Sequence, residues 1–555
     1  MKKLRLIILF LLLVPFVLAE DYAIVNSKDW HDVYSMLIYG RLKGIEVTYL
    51  IDEGQGLDVY NSFANTGIKN LLLLESKKTP VITNFRSKLK SVGKNVNLLE
   101  SSGDNINLEL GKKLADEAKI SNFVILEGSL GYNAVAIASY AVSTKSYVLF
   151  VNKENVDEIY SFLKERATNV LLYGALDRKV KEKLISLNPE IINEGNKYND
   201  NIAIVKKFLE NSPTKQVILT NGEFIETGLI DGSYPVILIG TSNVPIQILD
   251  FMKSSNIQSV LVIGYDLFAN AKRIKSEAGI KRMVLKYGQA RGDDIHAIPI
   301  YPIPSHIPSM NIGEIRYNTL TKQLEVIYKN TGVLFTYFQA FSHTIKTDGK
   351  IVAQVGDEVA TFLNTQEKKA LTYDVDLTTY IAESLTSESS VAYGDYPTSL
   401  ERLIKEEKPI KIIAVDDFST MDIKEVIYNK NKKRFEIGIE NTGAEEVYVN
   451  LEIKDLLLNK INKSLSSKTE KIAAKTNYRF RVEGELEEED LQDNTKIKVV
   501  AHYGAVEDLL LKKLEKEMEV TFKEGTLNYI PLIIIILVIL ALVLIIKKKK
   551  RRHPF

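Results

Sequence analysis

The sequence predicts a multidomain chain with three tandem α/β repeats, two antiparallel β-sandwich domains and one C-terminal transmembrane helix. The first half repeats an alternation of apolar strands and helices, the second half repeats alternating strands broken by Asn-Thr-Gly turns, and an uncharged apolar run followed by six cations lies near the end. The predicted segments are a signal peptide (1–19), α/β repeats (20–100, 101–190, 191–300), β-sandwiches (301–415, 416–524), a transmembrane helix (529–546) and a basic tail (547–555).

The N-terminal segment is typical of a secretory signal. Three cations precede a long apolar stretch, and the small-residue pattern Val17 and Ala19 predicts cleavage after Ala19. The alternative is a retained N-terminal anchor. Export is therefore the first functional expectation.

Three copies of one α/β pattern follow. Residues 22–51 align without gaps to 123–152, and 216–240 is a third copy with a shorter helical segment. Each copy has an apolar run, a polar loop, a helical stretch and a second apolar run, followed by a short helix and a third strand. Strands that are apolar throughout and alternate with helices predict a parallel, flavodoxin-like sheet covered on both faces.

The segments between the copies also repeat. Residues 98–119 and 191–210 each place a Gly, Asn or Asp turn before an amphipathic helix, which is ordinary turn and capping chemistry. After the third copy a proline-rich segment, 287–308, replaces this helix. We interpret that segment as a domain boundary.

The second half repeats in a different way. Residues 310–332 match 421–443 at identical spacing through a shared Asn-Thr-Gly, and 389–412 match 497–520. Alternating strands broken by turns predict two antiparallel, immunoglobulin-like β-sandwiches.

The C-terminal end predicts a membrane anchor. Residues 529–546 carry no charge. A helix over this apolar run is just long enough to span a hydrocarbon core of about 30 Å. The adjacent basic tail predicts a cytoplasmic C-terminus and an external N-terminal part, in a single-pass type I arrangement at the cell membrane.

Charge and cysteine content exclude several function classes. Removing the three leader cations and six tail cations from a net charge of +1 leaves about −8 for the exported part, so a nucleic-acid partner is not expected. The chain has no cysteine, which excludes disulfides, thiol catalysis and iron–sulfur clusters.

The loop at 127–131 resembles a catalytic or phosphate-cradling turn, because Ser129 lies between two glycines after an apolar run. The aligned first copy has Lys28 at this position, and the third copy has a glycine. A nucleophile in one copy of three, with no paired base in the motif, does not favour an enzyme. No hydrolase, zinc-protease, phosphate-loop or calcium-loop motif is found. We therefore expect neither an enzyme nor a cofactor.

Asp32, Asn133 and Glu226 are the candidate site residues, because they match in position near the predicted helix starts. They either cap free helix N–H groups or face a ligand at the carboxyl ends of the strands. A possible glycosylation site is Asn462, in the sequence Asn-Lys-Ser.

The histidines favour no metal site, because the six are scattered along the chain. One group in the proline-rich segment carries oxygen and imidazole ligands that could bind a divalent cation. We favour a solvated linker there. The group consists of Asp293, Asp294, His296 and His306.

The α/β copies resemble the cell-wall-binding repeat 2 family of surface proteins, in which an aromatic residue precedes an Asp-Ala pair at a helix start. The matching residues are Trp30 with Asp32 and Phe224 with Glu226, while the middle copy has Asn133 before an alanine. The resemblance implies three tandem modules that bind a wall polymer.

A later element of that family, Asn-Arg-Tyr, is matched in part by residues 196–198, which read Asn-Lys-Tyr. Missing arginines and variable Asp-Ala positions depart from the family pattern at its polymer-binding residues. The second half resembles the CARDB sandwiches of archaeal S-layer-type proteins.

These observations predict a non-enzymatic surface protein whose repeats bind envelope glycan, an anionic polymer or neighbouring surface proteins. The β-sandwiches would form a stalk above the membrane. The alternatives are a membrane-tethered solute receptor and a hydrolase with a degenerate site. A deep cleft between two repeats would favour the receptor, whereas a closed triangle of three repeats would favour wall binding.

Overall fold

The computed structural model describes residues 22–102, 105–291, 294–304, 308–458, 461–507 and 509–523. The predicted signal peptide, transmembrane helix and basic tail lie outside them. No helix within these ranges is long and apolar enough to cross a membrane. The chain forms two compact units. One contains the described residues up to 312 with 329–366 and 379–410, and the other contains 313–328, 367–378 and the described residues from 411 onwards.

Repeat 1 alternates four strands with three helices. They are β1 (Tyr22–Asn26), α1 (Trp30–Lys43), β2 (Glu46–Tyr49), α2 (Glu53–Ala64), β3 (Asn70–Ser76), α3 (Phe85–Ser91) and β4 (Asn95–Ser101), followed by the connecting helix α4 (Asn105–Glu117).

Repeat 2 follows the same plan. Its elements are β5 (Asn122–Glu127), α5 (Gly131–Ser143), β6 (Ser146–Val151), α6 (Val156–Arg166), β7 (Asn169–Tyr173), α7 (Arg178–Leu184) and β8 (Glu190–Ile192), and the connecting helix is α8 (Lys197–Asn211).

Repeat 3 is the shortened copy, in which a 3₁₀ turn at Thr227–Ile230 takes the place of the long first helix. Its elements are β9 (Gln216–Thr220), β10 (Phe224–Ile225), β11 (Val236–Leu238), α9 (Ile246–Ser254), β12 (Ser259–Ile263), α10 (Phe268–Glu277) and β13 (Arg282–Lys286). Three short strands follow, β14 (Gly288–Arg291), β15 (Asp294–Ala297) and β16 (Tyr301–Pro302).

The predicted parallel α/β repeats are confirmed. The three sheets have the equivalent strand orders β2-β1-β3-β4, β6-β5-β7-β8 and β11-β9-β12-β13, and their neighbouring strands pair in parallel. The carboxyl ends of the strands in one sheet therefore lie at one edge, where open α/β sheets bind ligands.

The three repeats share one apolar core. Helices α1 and α5 and the 3₁₀ turn of repeat 3 each contact the other two, and the buried cluster around them is continuous through all three sheets. Helix α5 is buried on almost every side, from Ala134 to Ala141. A helix that is apolar all round must be covered on all sides, and the neighbouring repeats provide that cover. The repeats therefore close into a triangle.

Two buried asparagines join the connecting helices to the edge strands. Asn107 of α4 donates to the Val148 carbonyl at 2.9 Å and accepts from the Phe150 N–H at 3.0 Å. Asn201 of α8 makes the same two bonds to Val236 and Leu238, at 2.9 and 2.8 Å. One amide side chain thus satisfies two outward backbone groups of an edge strand.

The third junction, between repeats 3 and 1, is closed by the proline-rich segment. The Tyr49 hydroxyl donates to the Pro299 carbonyl at 2.7 Å, and the Tyr301 hydroxyl donates to the Ser27 carbonyl at 3.0 Å. Strand β16 also pairs with β10. Residues 299–302 of the proline-rich segment therefore pack within the triangle, and the domain boundary stays a prediction.

The C-terminal part consists of curled β-sheets. Its strands are β17 (Met310–Asn318), β18 (Gln323–Asn330), β19 (Thr336–Thr347), β20 (Lys350–Val355), β21 (Thr361–Leu363), β22 (Lys368–Asp374), β23 (Leu385–Gly394), β24 (Arg402–Ile413), β25 (Met421–Asn429), β26 (Arg434–Asn441), β27 (Val447–Leu458), β28 (Ile461–Ser466), β29 (Glu470–Ile472), β30 (Asn477–Glu483), β31 (Lys496–Gly504) and β32 (Lys512–Lys523), with helix α11 (Glu488–Asp493) before β31.

The repeat in the second half appears as a repeated strand order. The orders β20-β19-β23-β24 and β17-β18-β22 correspond to β28-β27-β31-β32 and β25-β26-β30. The pairs β19–β20, β19–β23 and β23–β24 are antiparallel, as are β25–β26, β26–β30, β27–β28, β27–β31 and β31–β32. Strands β25 and β32 run in parallel, so the purely antiparallel prediction is wrong at that pair: β32, the last strand, lies beside β25 in the same direction.

We expect Asn201→Ala to destabilise the α/β part by about 2 to 4 kcal/mol, because two buried backbone groups lose their partner. Trp30 is the only tryptophan, so chemical unfolding followed by its fluorescence reports on this part. Asn199→Ala, a partly exposed asparagine on the same helix, is the control and should cost under about 1 kcal/mol. Equal losses in the two variants would contradict this role for Asn201.

Candidate functional site

A cavity of about 240 Å³ lies between repeats 1 and 2, at the carboxyl ends of β1, β5 and β6. It continues into a second hollow of about 400 Å³ beside the loop that follows β6. We call the two together the first groove. The polar residues that line its deeper part include Asp29, His31, Glu127, Ser129, Asn152 and Asn155.

His31 connects the two sides of the first groove. Its Nδ1 lies 2.7 Å from Asp29 Oδ1 in repeat 1, and its Nε2 lies 2.8 Å from the Gly128 carbonyl oxygen in repeat 2. The imidazole ring stacks on Trp30 at 3.9 Å between centroids and meets the edge of Phe150 at 5.0 Å. Its position is therefore fixed by two polar and two aromatic contacts.

Two carboxyl groups of repeat 1 lie at this groove in contrasting surroundings. Asp29 caps α1 by accepting a hydrogen bond from the His31 backbone N–H. Burial opposes ionisation of the Asp29 carboxyl group, but the hydrogen bond to the His31 side chain and the charge of His31 hold the pKa of Asp29 below the ordinary value. Burial raises the pKa of Asp32 to about 6, against hydrogen bonds from Ser27 and Ser101 that favour the ionised form. Asp32 is only 1% exposed, so repeat 1 contributes one partly exposed and one buried carboxyl group to the groove.

Ser129 is exposed at the groove, and its hydroxyl contacts the Glu127 carboxylate. Both ring nitrogens of His31 contact other atoms, Asp29 Oδ1 and the Gly128 carbonyl oxygen. Glu127 is thus the acidic partner of Ser129, and within the part of the chain that the structure describes no imidazole contacts the serine hydroxyl. The arrangement differs from a nucleophile–histidine–acid triad, in which the base contacts the nucleophile.

The predicted site residues all lie near the start of the helix or 3₁₀ turn that follows the first strand of each repeat, but Asp32 and Asn133 are third helix residues whereas Glu226 is an N-cap. Asp32 is the third residue of α1, and the cap of that helix is Asp29. Asn133 is the third residue of α5, and its Oδ1 is buried with no hydrogen-bond partner among the described residues. Glu226 caps the 3₁₀ turn through the Gly228 N–H at 2.8 Å and pairs with Lys286 at 2.8 Å.

Asn462, the predicted glycosylation site, lies on β28 with an exposed side chain. Of the predicted metal-binding group, Asp293 and His306 lie outside the described residues. Among the described residues no cluster of three or more His, Asp or Glu side chains is placed to hold a metal ion.

The equivalent groove between repeats 2 and 3, the second groove, is filled by residues 399–403 of the same chain. The Glu401 carboxylate accepts from Lys197 Nζ at 2.7 Å and contacts the Tyr198 hydroxyl. The Glu401 carbonyl oxygen accepts from the backbone N–H groups of Ser242 and Asn243, at 3.3 and 3.0 Å. A chain segment thus occupies the place that is open in the first groove.

One position distinguishes the two grooves. Gly240 in repeat 3 corresponds to Asn152 in repeat 2. Each lies two residues after the strand residue whose N–H donates to the buried asparagine of the connecting helix. A Cβ at Gly240 would lie 2.0 Å from the Asn243 carbonyl oxygen of its own loop and 2.6 Å from the Glu401 carbonyl oxygen, so both the loop and the inserted segment require glycine there. Asn152 Oδ1 instead accepts from the N–H groups of Glu154 and Asn155, at 2.8 and 2.9 Å. In the first groove the Asn152 side-chain oxygen thus takes the place that the Glu401 carbonyl oxygen has in the second groove.

Sequence reasoning missed the residues that line the first groove, above all Asp29, His31 and Glu127. The sequence did contain a signal for these residues, namely a difference between the copies: repeat 1 has Asp29 and His31 where the aligned positions of repeat 2 hold Leu130 and Tyr132. Only the folded chain shows that these side chains meet the Glu127 loop, which is about 100 residues away in sequence.

No protein-family model matches the chain, and no curated protein matches it. Among solved structures, Cwp8 from Clostridium difficile matches 47% of this chain and 48% of its own length, with 14% identity and a TM-score of 0.39. Cwp6 from Clostridium difficile matches 48% of this chain and 41% of its own length, with 12% identity and a TM-score of 0.35. The chain thus covers less than half of either protein.

We expect Asp32→Asn, which copies Asn133, to change the pH dependence of stability. A folded-state pKa near 6, above the ordinary 3.8, means that ionisation lowers the free energy of unfolding as pH rises from 4 to 7. The asparagine side chain of the variant does not ionise. The free energy of unfolding of the variant minus that of wild type should therefore be about 2 to 3 kcal/mol larger at pH 7.5 than at pH 4. Unfolding followed by Trp30 fluorescence measures this, and an equal difference at both pH values would contradict it.

We expect Ser129→Ala to leave the fold intact, with a change in the free energy of unfolding within about 0.5 kcal/mol, because the side chain is exposed. It should also leave unchanged any hydrolysis of envelope glycan by the purified chain. A turnover that wild type shows and the variant loses would identify Ser129 as a nucleophile.

Proposed function

We propose that the chain is a non-enzymatic cell-surface protein whose α/β repeats bind envelope glycan, an anionic polymer or a neighbouring surface protein. The C-terminal β-domains, proposed to be immunoglobulin-like sandwiches, form a stalk. The predicted transmembrane helix anchors the chain in the cell membrane, with the repeats outside and the basic tail in the cytoplasm. The apolar run and the basic tail in the sequence support this arrangement.

The observation that carries the proposal is the closed triangle with one open groove. The chain covers the second groove with residues 399–403 and the third junction with the segment around Pro299 and Tyr301. The first groove stays open and is lined by acidic, amide and aromatic side chains, the kinds of group that hold a neutral, hydroxyl-rich glycan, whereas its carboxylates repel an anionic polymer. We place the binding site there.

A solute receptor is the second candidate, since the first groove lies between two repeats and is lined by charged and aromatic groups. Receptors of this kind close two lobes around the solute by a hinge. The continuous core through α1 and α5 opposes such a hinge, because opening it would expose buried apolar surface. The rigid triangle therefore favours binding of an envelope component.

The test is a pull-down of the 20–527 fragment with purified envelope fractions, with and without glycan. We expect binding that is lost when glycan is removed. Ser129→Trp, which fills the first groove, should weaken binding at least about tenfold, the loss of about 1.4 kcal/mol. Ser161→Trp, at an exposed position of α6 away from the groove, is the matched control.

Binding that survives removal of both glycan and envelope protein would contradict the proposal, as would equal binding by the two tryptophan variants. Retention on protein-containing fractions after glycan removal would identify a surface protein as the ligand.

A further inference from the structure

The two ring nitrogens of His31 both face hydrogen-bond acceptors. Nδ1 lies 2.7 Å from Asp29 Oδ1, and Nε2 lies 2.8 Å from the Gly128 carbonyl oxygen. A carbonyl oxygen carries no proton, and the lowered pKa of Asp29 keeps that carboxyl group ionised. A neutral imidazole has one N–H and donates to only one of these acceptors, whereas an imidazolium donates to both.

The charges around His31 also favour the imidazolium. From repeat 1 the ring faces the carboxyl groups of Asp29 and Asp32, and Glu127 lies across the groove at the carboxyl end of β5. The described residues that face it from α4 and the end of β6 are uncharged. Lys153, in the adjoining hollow, pairs with Asp177 at 3.0 Å.

Two effects oppose the imidazolium. The ring is partly buried against Trp30 and Phe150, which disfavours its charged form, and His31 is the second residue of α1, where the N-terminal end of the helix carries a partial positive charge. Hydrogen bonds to a charged group are stronger than the interaction with a helix dipole, and the imidazolium makes two of them, to Asp29 and Gly128, beside nearby carboxylates that favour its charge.

We propose that protonation of His31 is a switch that ties the Gly128 loop of repeat 2 to repeat 1 and so fixes the mouth of the first groove. At acidic pH both bonds are made. As pH rises through the imidazole titration, the remaining proton stays on Nδ1 beside the Asp29 carboxylate, which is the stronger acceptor. Nε2 then presents a lone pair to the Gly128 oxygen, and the link between the repeats is lost.

The change is confined to the loop after β5. The Tyr34 hydroxyl donates to the Ala134 carbonyl at 2.7 Å, a second bond between repeats 1 and 2 that carries no titrating group in this pH range. The repeats thus stay joined while residues 127–130 are released. Only the consequence of the switch, pH-dependent binding in the first groove, rests on the proposed function.

Hydrogen exchange of the purified full chain, without ligand, tests the switch. After correction for intrinsic rates, protection of the amides of residues 127–131 should fall about tenfold between pH 5.5 and pH 8. His31→Gln, which donates a hydrogen bond but does not titrate, should remove this pH dependence. Asp32→Asn should retain the pH dependence of protection. This variant therefore separates the titration of His31 from that of the Asp32 carboxyl group.

Unchanged protection in wild type overturns the proposal, as does a pH dependence that survives in His31→Gln or disappears in Asp32→Asn. Nitrogen-15 spectra of labelled histidine provide a measurement on the wild-type chain. The His31 signals, assigned by their absence in His31→Gln, should show both nitrogens protonated at pH 5.5 and only Nδ1 protonated at pH 8.5. Protonation at Nε2 alone at the higher pH would also overturn it. Failure of envelope binding would leave these measurements unaffected.

Discussion

The α/β part depends on the burial of α1 and α5 against each other and against the 3₁₀ turn of repeat 3. These two helices are buried on nearly every side, and the sheet of their own repeat covers only part of each. The shared core makes the three repeats one body, and it places the carboxyl ends of their strands around three junctions. The grooves, the buried polar groups and the proposed switch all follow from this packing.

Equivalent positions in the triangle have acquired different chemistry. The backbone plan is the same in each repeat, but Gly240 admits a chain segment where Asn152 excludes one. Asp32, Asn133 and Glu226 differ in the same way, with two serine hydroxyls around the first and a lysine beside the last. The repeated fold thus provides three similar positions, and single residues decide which of them stays open.

The first groove combines rigidity with one titrating contact. Its walls belong to sheets that the common core holds in place, whereas the loop after β5 is connected to repeat 1 through His31. A polar bond at the rim of a rigid groove changes local shape without disturbing the core, since the apolar area buried between repeats far exceeds what one hydrogen bond contributes. Ligand binding and pH sensing can therefore share one junction.

The sequence determined the α/β repeats, their parallel strands and the repeated strand pattern of the second half, because these follow from short-range patterns of apolar and turn residues. It also placed Asp32, Asn133 and Glu226 at equivalent positions near helix starts. Only the tertiary structure decided that Asp29 is the cap of α1, that Asn107 and Asn201 complete edge strands, and that His31 meets the Gly128 loop. The reason is physical: a pattern along the chain reports which faces are buried, whereas partners about 100 residues apart are chosen by how the buried faces pack.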